Sequence, residues 1–260
     1  MEKININQLF IDIKNLFEEI SNKMNLLETA VLTQNKLQGV ENTPPATSND
    51  DRIKNNVSNN DKFGKILVIG AIGCGKSSTI NALLGEERAK IGDGFDAETQ
   101  DFSEYSLNNL VFIDSPGLGE SIERDEKITK LISEKIKEKD ATGKFLIDAI
   151  IVIVDGSSRD LGTTYSLIRE AVFDNLGENK NRLLIAINQA DMAMKGKGWD
   201  NINSLPNEEL TAFLEEKVRS TKERIKEGTN IDSNVIYYSV VDIAKPFNLK
   251  ALTNYINELL

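Results

Sequence analysis

Gly70-Ala71-Ile72-Gly73-Cys74-Gly75-Lys76-Ser77 fits the pattern G-x-x-x-x-G-K-[ST], a glycine-rich loop that wraps phosphate groups. Lys65-Ile66-Leu67-Val68-Ile69 precedes it, a short apolar run rich in β-branched residues that reads as a buried strand. Ser78 to Leu84 follows as a helix, stopped by Gly85. Strand, glycine loop and helix in that order are the context the motif requires. Glycines let backbone N–H groups turn inward around phosphate oxygens, and the helix N-terminus adds the positive end of its dipole. Lys76 is placed to reach the β- and γ-phosphates, and the Ser77 hydroxyl to bind Mg²⁺.

Outward from this loop, apolar strand runs alternate with helical patterns from residue 63 to residue 260, the signature of an α/β domain with a mostly parallel sheet flanked by helices. The pattern predicts strands near 102–107, 110–113, 147–154, 182–187 and 235–238. It predicts helices near 122–139, 163–176, 207–226 and 249–259. Ligands of an open α/β sheet bind at the carboxyl ends of its strands. Four signals fall on that rim: the glycine loop, Asp114-Ser115-Pro116-Gly117, Asn188-Gln189-Ala190-Asp191 and Ser239-Val240.

The N-terminal 38 residues read differently. Ile6, Phe10, Ile13, Phe17, Ile20, Met24, Leu27 and Val31 form a heptad stripe on an expected amphipathic helix. The stripe can dock on the body of the chain, pair with another chain, or lie on a membrane. The membrane reading ranks third, because Lys3, Lys14 and Lys23 are offset by Glu2, Asp12, Glu18, Glu19 and Glu28. Residues 39–62 are polar and nearly free of large apolar residues, and read as a flexible linker.

The 260 residues carry a formal net charge of −10, which disfavours gripping nucleic acid by charge alone. The absence of histidine removes histidine general bases and histidine metal ligands. With Cys74 the only cysteine, no intramolecular disulfide exists, and a cytoplasmic setting is expected. The longest apolar run, Ala149 to Val154, is far too short to span a bilayer.

Taken together, the rim motifs resemble the guanine-nucleotide-binding domain of small GTPases, in its uninterrupted motif order. The resemblance implies a P-loop NTPase G domain over residues 63–260. Asp114 to Gly117 looks like the D-x-x-G element, in which the aspartate serves Mg²⁺ and the glycine N–H senses the γ-phosphate. Asn188 to Asp191 looks like the N-K-x-D guanine reader: the Asp191 carboxylate can accept from the guanine N1–H and exocyclic amine, a donor pair that adenine lacks. Ser239-Val240 looks like the last element, whose backbone N–H approaches the guanine O6. More closely, Ser77 to Leu84, Asp114 to Gly119, Asp155 to Thr163 and Asn188 to Gly196 are similar to the Era-like branch. The RNA-binding domain of Era has no counterpart among these residues, so ribosome association is not carried over.

What the resemblance implies is a Mg²⁺-dependent GTPase that turns GTP into GDP and phosphate. The implied nucleotide-binding residues are Gly70, Ala71, Ile72, Gly73, Cys74, Gly75, Lys76, Ser77, Ser78, Asn188, Gln189, Asp191, Ser239 and Val240. Lys76, Thr99 and Gly117 are the implied catalytic residues, and Ser77, Thr99 and Asp114 the metal ligands, with Thr99 the best candidate for the switch I threonine. Residues 86–105 and 115–126 are the expected mobile switches. Four departures matter. Leu118 stands where Ras-like enzymes have the glutamine that orients water, so slow turnover is expected and Leu118 reads as a hydrophobic contact in a mobile loop. Gln189 replaces the N-K-x-D lysine. Gly73 stands where K⁺-activated relatives carry asparagine. Cys74 lies beside a helix N-terminus and Lys76, which lower a thiol pKa, although a small residue filling a tight turn is the favoured reading. Arg159 reads either as an arginine finger toward a neighbouring subunit or as a partner of Asp160. Two further functions stay open: a nucleotide-gated interaction module using the N-terminal stripe for self-association or an unknown protein partner, and an ATPase.

Overall fold

The computed structural model describes residues 63–89, 101–158, 162–178 and 180–260. The expected N-terminal helix (1–38), the linker (39–62), Thr99 and Arg159 lie outside them. The elements, in chain order, are β1 (Gly64–Gly70), α1 (Lys76–Leu84), β2 (Ser103–Leu107), β3 (Leu110–Asp114), α2 (Ile122–Lys137), β4 (Ala149–Asp155), α3 (Gly162–Ala171), β5 (Leu183–Asn188), β6 (Trp199–Asp200), β7 (Leu205–Pro206), α4 (Glu208–Thr229), β8 (Asn234–Tyr237) and α5 (Leu249–Leu259).

Six strands form one sheet in the order β2-β3-β1-β4-β5-β8. All pairs are parallel except β2 with β3. The chain leaves β1 toward β3 on one side and resumes at β4 on the other. The glycine loop therefore leaves the sheet where the winding direction reverses, the place where such sheets open a crevice.

Strand alternation sorts the core into two layers. Leu67 and Ile69 of β1, with Ile150 and Val152 of β4, pack under Ile128, Ile132 and Ile136 of α2, Ile168 of α3 and Ile225 of α4. Ile66, Val68, Ile151 and Ile153 face the other way, under Ile80 and Leu84 of α1 and Leu252 and Ile256 of α5. The central strands are apolar on both faces because helices cover both.

The strand expected from residue 147 begins at Ala149. The Ile147 carbonyl instead accepts from Arg182 Nη1 at 2.8 Å. Arg182 is a buried guanidinium whose Nη2 also reaches Ile136 O at 3.0 Å and Leu176 O at 3.5 Å. Its Cζ lies 4.0 Å from the Phe145 ring centroid, and burial lowers its pKa. It staples the end of the sheet opposite the glycine loop. The helix expected to run to residue 176 stops at Ala171 and tightens into a 3₁₀ turn, Phe173–Asn175. Asn175 Nδ2 takes the freed carbonyls of Glu170 and Ala171 at 2.6 and 3.1 Å. The β6–β7 hairpin had no counterpart in the sequence reading. Strands of two residues show no period, and this pair is held by Trp199 edge-on to Phe247 at 5.5 Å.

Candidate functional site

The glycine loop has its carbonyls tied off by side chains. Lys76 Nζ donates to Gly70 O at 3.3 Å and Ala71 O at 3.1 Å. Gln189 Nε2 donates to Gly73 O at 2.7 Å, Asn188 Nδ2 to Cys74 O at 3.0 Å, and Thr79 Oγ1 to Gly75 O at 2.7 Å. The amides that open α1 are left for a ligand, whereas the Cys74 N–H donates to Ala71 O at 3.3 Å. Gly75, at φ 91°, is the N-cap of α1 and supplies no capping side chain. The Lys76, Ser77 and Ser78 amides occupy the first turn, where an α-helix has no internal acceptors. An anion placed there meets bare N–H groups, the dipole end and an ammonium. The Ile72 amide is taken by Leu118 O at 2.8 Å, so Ile72 lines the loop and donates elsewhere.

The close approach of Asn188 explains Gly75. A Cβ on Gly75 would lie 2.2 Å from Asn188 Nδ2. Gly156, following β4, shows the same logic: its Cβ would fall 2.5 Å from Asn188 O, and its own amide donates to that oxygen at 2.7 Å. Gly117 packs on the loop, where a Cβ would come within 2.7 Å of Ile72 Cγ1.

Ser77 and Asp114 meet across the loop, with Ser77 Oγ donating to Asp114 Oδ2 at 2.8 Å. Asp114 Oδ1 is buried and has no hydrogen-bond partner among the described residues. Burial pushes the Asp114 carboxyl above its ordinary value, against the Ser77 hydrogen bond and the Lys76 charge. Ser77 Oγ and Asp114 Oδ2 side by side, with Asp114 Oδ1 unpartnered, are hard oxygens that fit a cation such as Mg²⁺.

Leu118 makes the hydrophobic contact expected of it. It is fully buried in the core, its amide donates to Gly70 O at 3.2 Å, and its carbonyl accepts from the Ile72 N–H. Beyond it, Asp125 Oδ1 accepts from Gly119 N at 2.7 Å and Glu120 N at 3.3 Å, fastening the turn to α2.

The base-reading end is built from β5 and β8. Asp191 is buried, and its Oδ1 accepts from Ser239 Oγ at 2.6 Å. Gln189, in place of the lysine of the N-K-x-D pattern, contacts the glycine loop through a neutral amide. The backbone of Ser239 requires a correction: its N–H donates to Phe247 O at 3.1 Å, so it is not the free amide for a guanine O6. The Val240 amide makes no hydrogen bond among the described residues. Cys74 is buried, and burial raises its thiol pKa despite Lys76, in keeping with a small residue filling a turn.

Several positioning residues carry no motif signal of their own. Thr79 and Tyr238 share a hydroxyl contact at 2.6 Å. Asn81 of α1 holds the chain beyond Gly85, its Nδ2 donating to Ala89 O at 2.8 Å and its Oδ1 accepting from Ala89 N at 2.7 Å. Lys217 of α4 donates to Gly156 O at 2.7 Å, and burial lowers its pKa.

A doubly covered parallel sheet with this loop at its reversal point, and these motifs on one rim, defines a P-loop GTPase G domain. Residues 65–189 match the family described as 50S ribosome-binding GTPase. The chain is 30% identical over 133 residues to GTPase Der of Nautilia profundicola, covering 49% of this chain and 26% of that protein. It is 28% identical over 193 residues to the tRNA modification GTPase MnmE of Aquifex aeolicus, covering 70% of this chain and 40% of that protein. The chain thus spans less than half the length of these curated relatives. The structure of Toc33 from Arabidopsis thaliana in complex with GDP and Mg²⁺ has the same fold, with a TM-score of 0.55 and 17% identity over 76% of this chain and 84% of that one. These likenesses support the fold of a P-loop GTPase G domain; with Der and MnmE among the relatives, they do not single out the Era-like branch.

Proposed function

We propose that this chain binds GTP with Mg²⁺ and hydrolyses it to GDP and phosphate at a slow intrinsic rate, as a molecular switch of the Era-like kind in the cytoplasm. The observation that carries the reading is the direct bonding of the base-reading segment to the phosphate loop, Asn188 to Cys74 O and Gln189 to Gly73 O. One ligand with a guanine at one end and phosphates at the other matches both halves at once. No helix among the described residues is long and apolar enough to cross a membrane.

In this reading Asp191 accepts from the guanine N1–H and amine, and Val240 N–H meets O6. The first-turn amides of α1 hold the phosphates. The Lys76 ammonium exchanges the Gly70 and Ala71 carbonyls for phosphate oxygens and stabilises charge on the transferring group. Ser77 and Asp114 are the residues that would hold Mg²⁺, which supplies positive charge opposite the phosphate oxygens. Water attacks in line at the γ-phosphorus. Leu118 is buried and apolar, and a position that offers no group to orient that water supports slow turnover.

The test is GTP hydrolysis per molecule against protein concentration, with ATP as the control. GTP-only turnover that rises with concentration supports a GTPase activated by self-association. A flat, slow rate with GTP alone supports a switch that needs another activator. Equal turnover of ATP overturns the guanine reading.

A further inference from the structure

We propose that Tyr238 is a positioning residue that couples the base-reading end of the site to the phosphate loop through a directed hydroxyl relay. The inference rests on the nucleotide-site reading above and adds a residue outside its motifs.

Thr79 Oγ1 stands 2.7 Å from Gly75 O and 2.6 Å from Tyr238 Oη. A hydroxyl has one hydrogen, and a carbonyl oxygen can only accept. Thr79 therefore gives its proton to Gly75 O, and the Tyr238 O–H donates to Thr79. The relay runs from Tyr238 to Thr79 to the Gly75–Lys76 peptide. Bonding at that carbonyl fixes the peptide plane and polarises its N–H, the Lys76 amide that faces the phosphate position. Thr79 and Tyr238 are both buried, so water does not compete with the relay.

Tyr238 is equally committed at its other end. Its backbone N–H donates to Ile187 O at 2.9 Å and its carbonyl accepts from Ala190 N at 3.1 Å. These two bonds bracket Asn188 and Gln189. The next residue, Ser239, holds Asp191. A displacement of the guanine-reading segment therefore reaches the phosphate amides through one side chain. Packing alone does not call for a phenol here: the ring is enclosed by core residues, and a phenylalanine would fill the same space.

The experiment measures GDP affinity and the steady-state constants for GTP on the full chain and on Tyr238→Phe, Thr79→Val, Thr79→Ser and the Tyr238→Phe/Thr79→Val pair. The relay predicts that Tyr238→Phe and Thr79→Val each weaken GDP binding by about five- to twentyfold and raise KM for GTP by a similar factor. It predicts kcat within about twofold, because the peptide is held alike in ground and transition states. Thr79→Ser keeps the hydroxyl and keeps wild-type affinity. The double variant loses no more than the worse single variant. Tyr238→Phe binding GDP within about twofold of wild type overturns the relay. So do losses that multiply in the double variant, or Thr79→Ser behaving like Thr79→Val. A wild-type chain that binds no guanine nucleotide overturns the site reading and the relay together, whereas wild-type binding with an unaffected Tyr238→Phe overturns the relay alone.

Discussion

Ser239 gives its hydroxyl proton to Asp191 Oδ1 at 2.6 Å, linking the ends of two adjacent parallel strands 48 residues apart in sequence. The bond fixes the carboxylate plane and leaves Oδ2 and the remaining lone pairs for a ligand. Ser239→Ala removes a charge-assisted hydrogen bond, and GTP affinity is expected to fall by about five- to fiftyfold. The preference for guanine over hypoxanthine nucleotides narrows as well, because the carboxylate no longer sits square to two donors. Competition titration with GTP and ITP checks both.

Asp191→Asn replaces an acceptor pair with an acceptor and a donor. Xanthine offers a carbonyl where guanine has its amine, so the variant is expected to trade GTP for XTP by at least about tenfold. Unchanged preference in the same titration removes Asp191 as the base reader.

Asp114→Asn keeps the shape of the Ser77–Asp114 contact and removes its charge. Wild-type GDP affinity is expected to fall by about tenfold or more when Mg²⁺ is chelated, and the variant to respond by less than about threefold. Calorimetric titration with and without EDTA measures the difference.

Gly75→Ala places a methyl 2.2 Å from Asn188 Nδ2 at a φ of 91°. The left-handed backbone and the displaced Asn188 together are expected to cost about 1–3 kcal/mol of stability. The same displacement breaks the Asn188–Cys74 bond, so GDP affinity falls with stability. Urea unfolding and a GDP titration follow the two effects.

Arg182→Met separates stability from the site. The guanidinium satisfies the Ile147, Ile136 and Leu176 carbonyls in the core, and its loss is expected to cost about 2–4 kcal/mol. Arg182 lies at the far end of β5 from Asn188, roughly 20 Å along the strand, so GDP affinity at 15 °C stays within about twofold. Urea midpoints and the same titration test this.

The site was legible where function demands backbone geometry at a fixed spacing. The loop from Gly70 to Ser77, Asp114, Asn188 and Asp191 all stand on one rim because each ends a strand of alternating or continuous apolar character. The order of elements followed from the same alternation. Tyr238, Thr79 and Asn81 were not legible, because their roles come from hydrogen bonds between segments far apart in sequence, which no local period encodes. Of the Ser239-Val240 pair, expected to offer a backbone N–H, Ser239 has its amide engaged within the fold. Its amide belongs to the bridge with Phe247, and only the fold reveals that pairing. The β6–β7 hairpin was hidden for a similar reason, being held by aromatic contacts rather than by strand length.

The double fastening of Leu118 has a mechanical meaning. With its amide and carbonyl both bound to the phosphate loop, the segment up to Leu118 is part of the frame. Gly119, at φ 99°, is the first joint, and Asp125 ties that joint to the start of α2. Under the proposed activity, the third phosphate lies within one short joint of a whole helix. The outer side of α2 carries Glu123, Glu126, Lys127 and Lys130, all exposed, so the element fastened next to the phosphate loop presents a charged ridge to solvent.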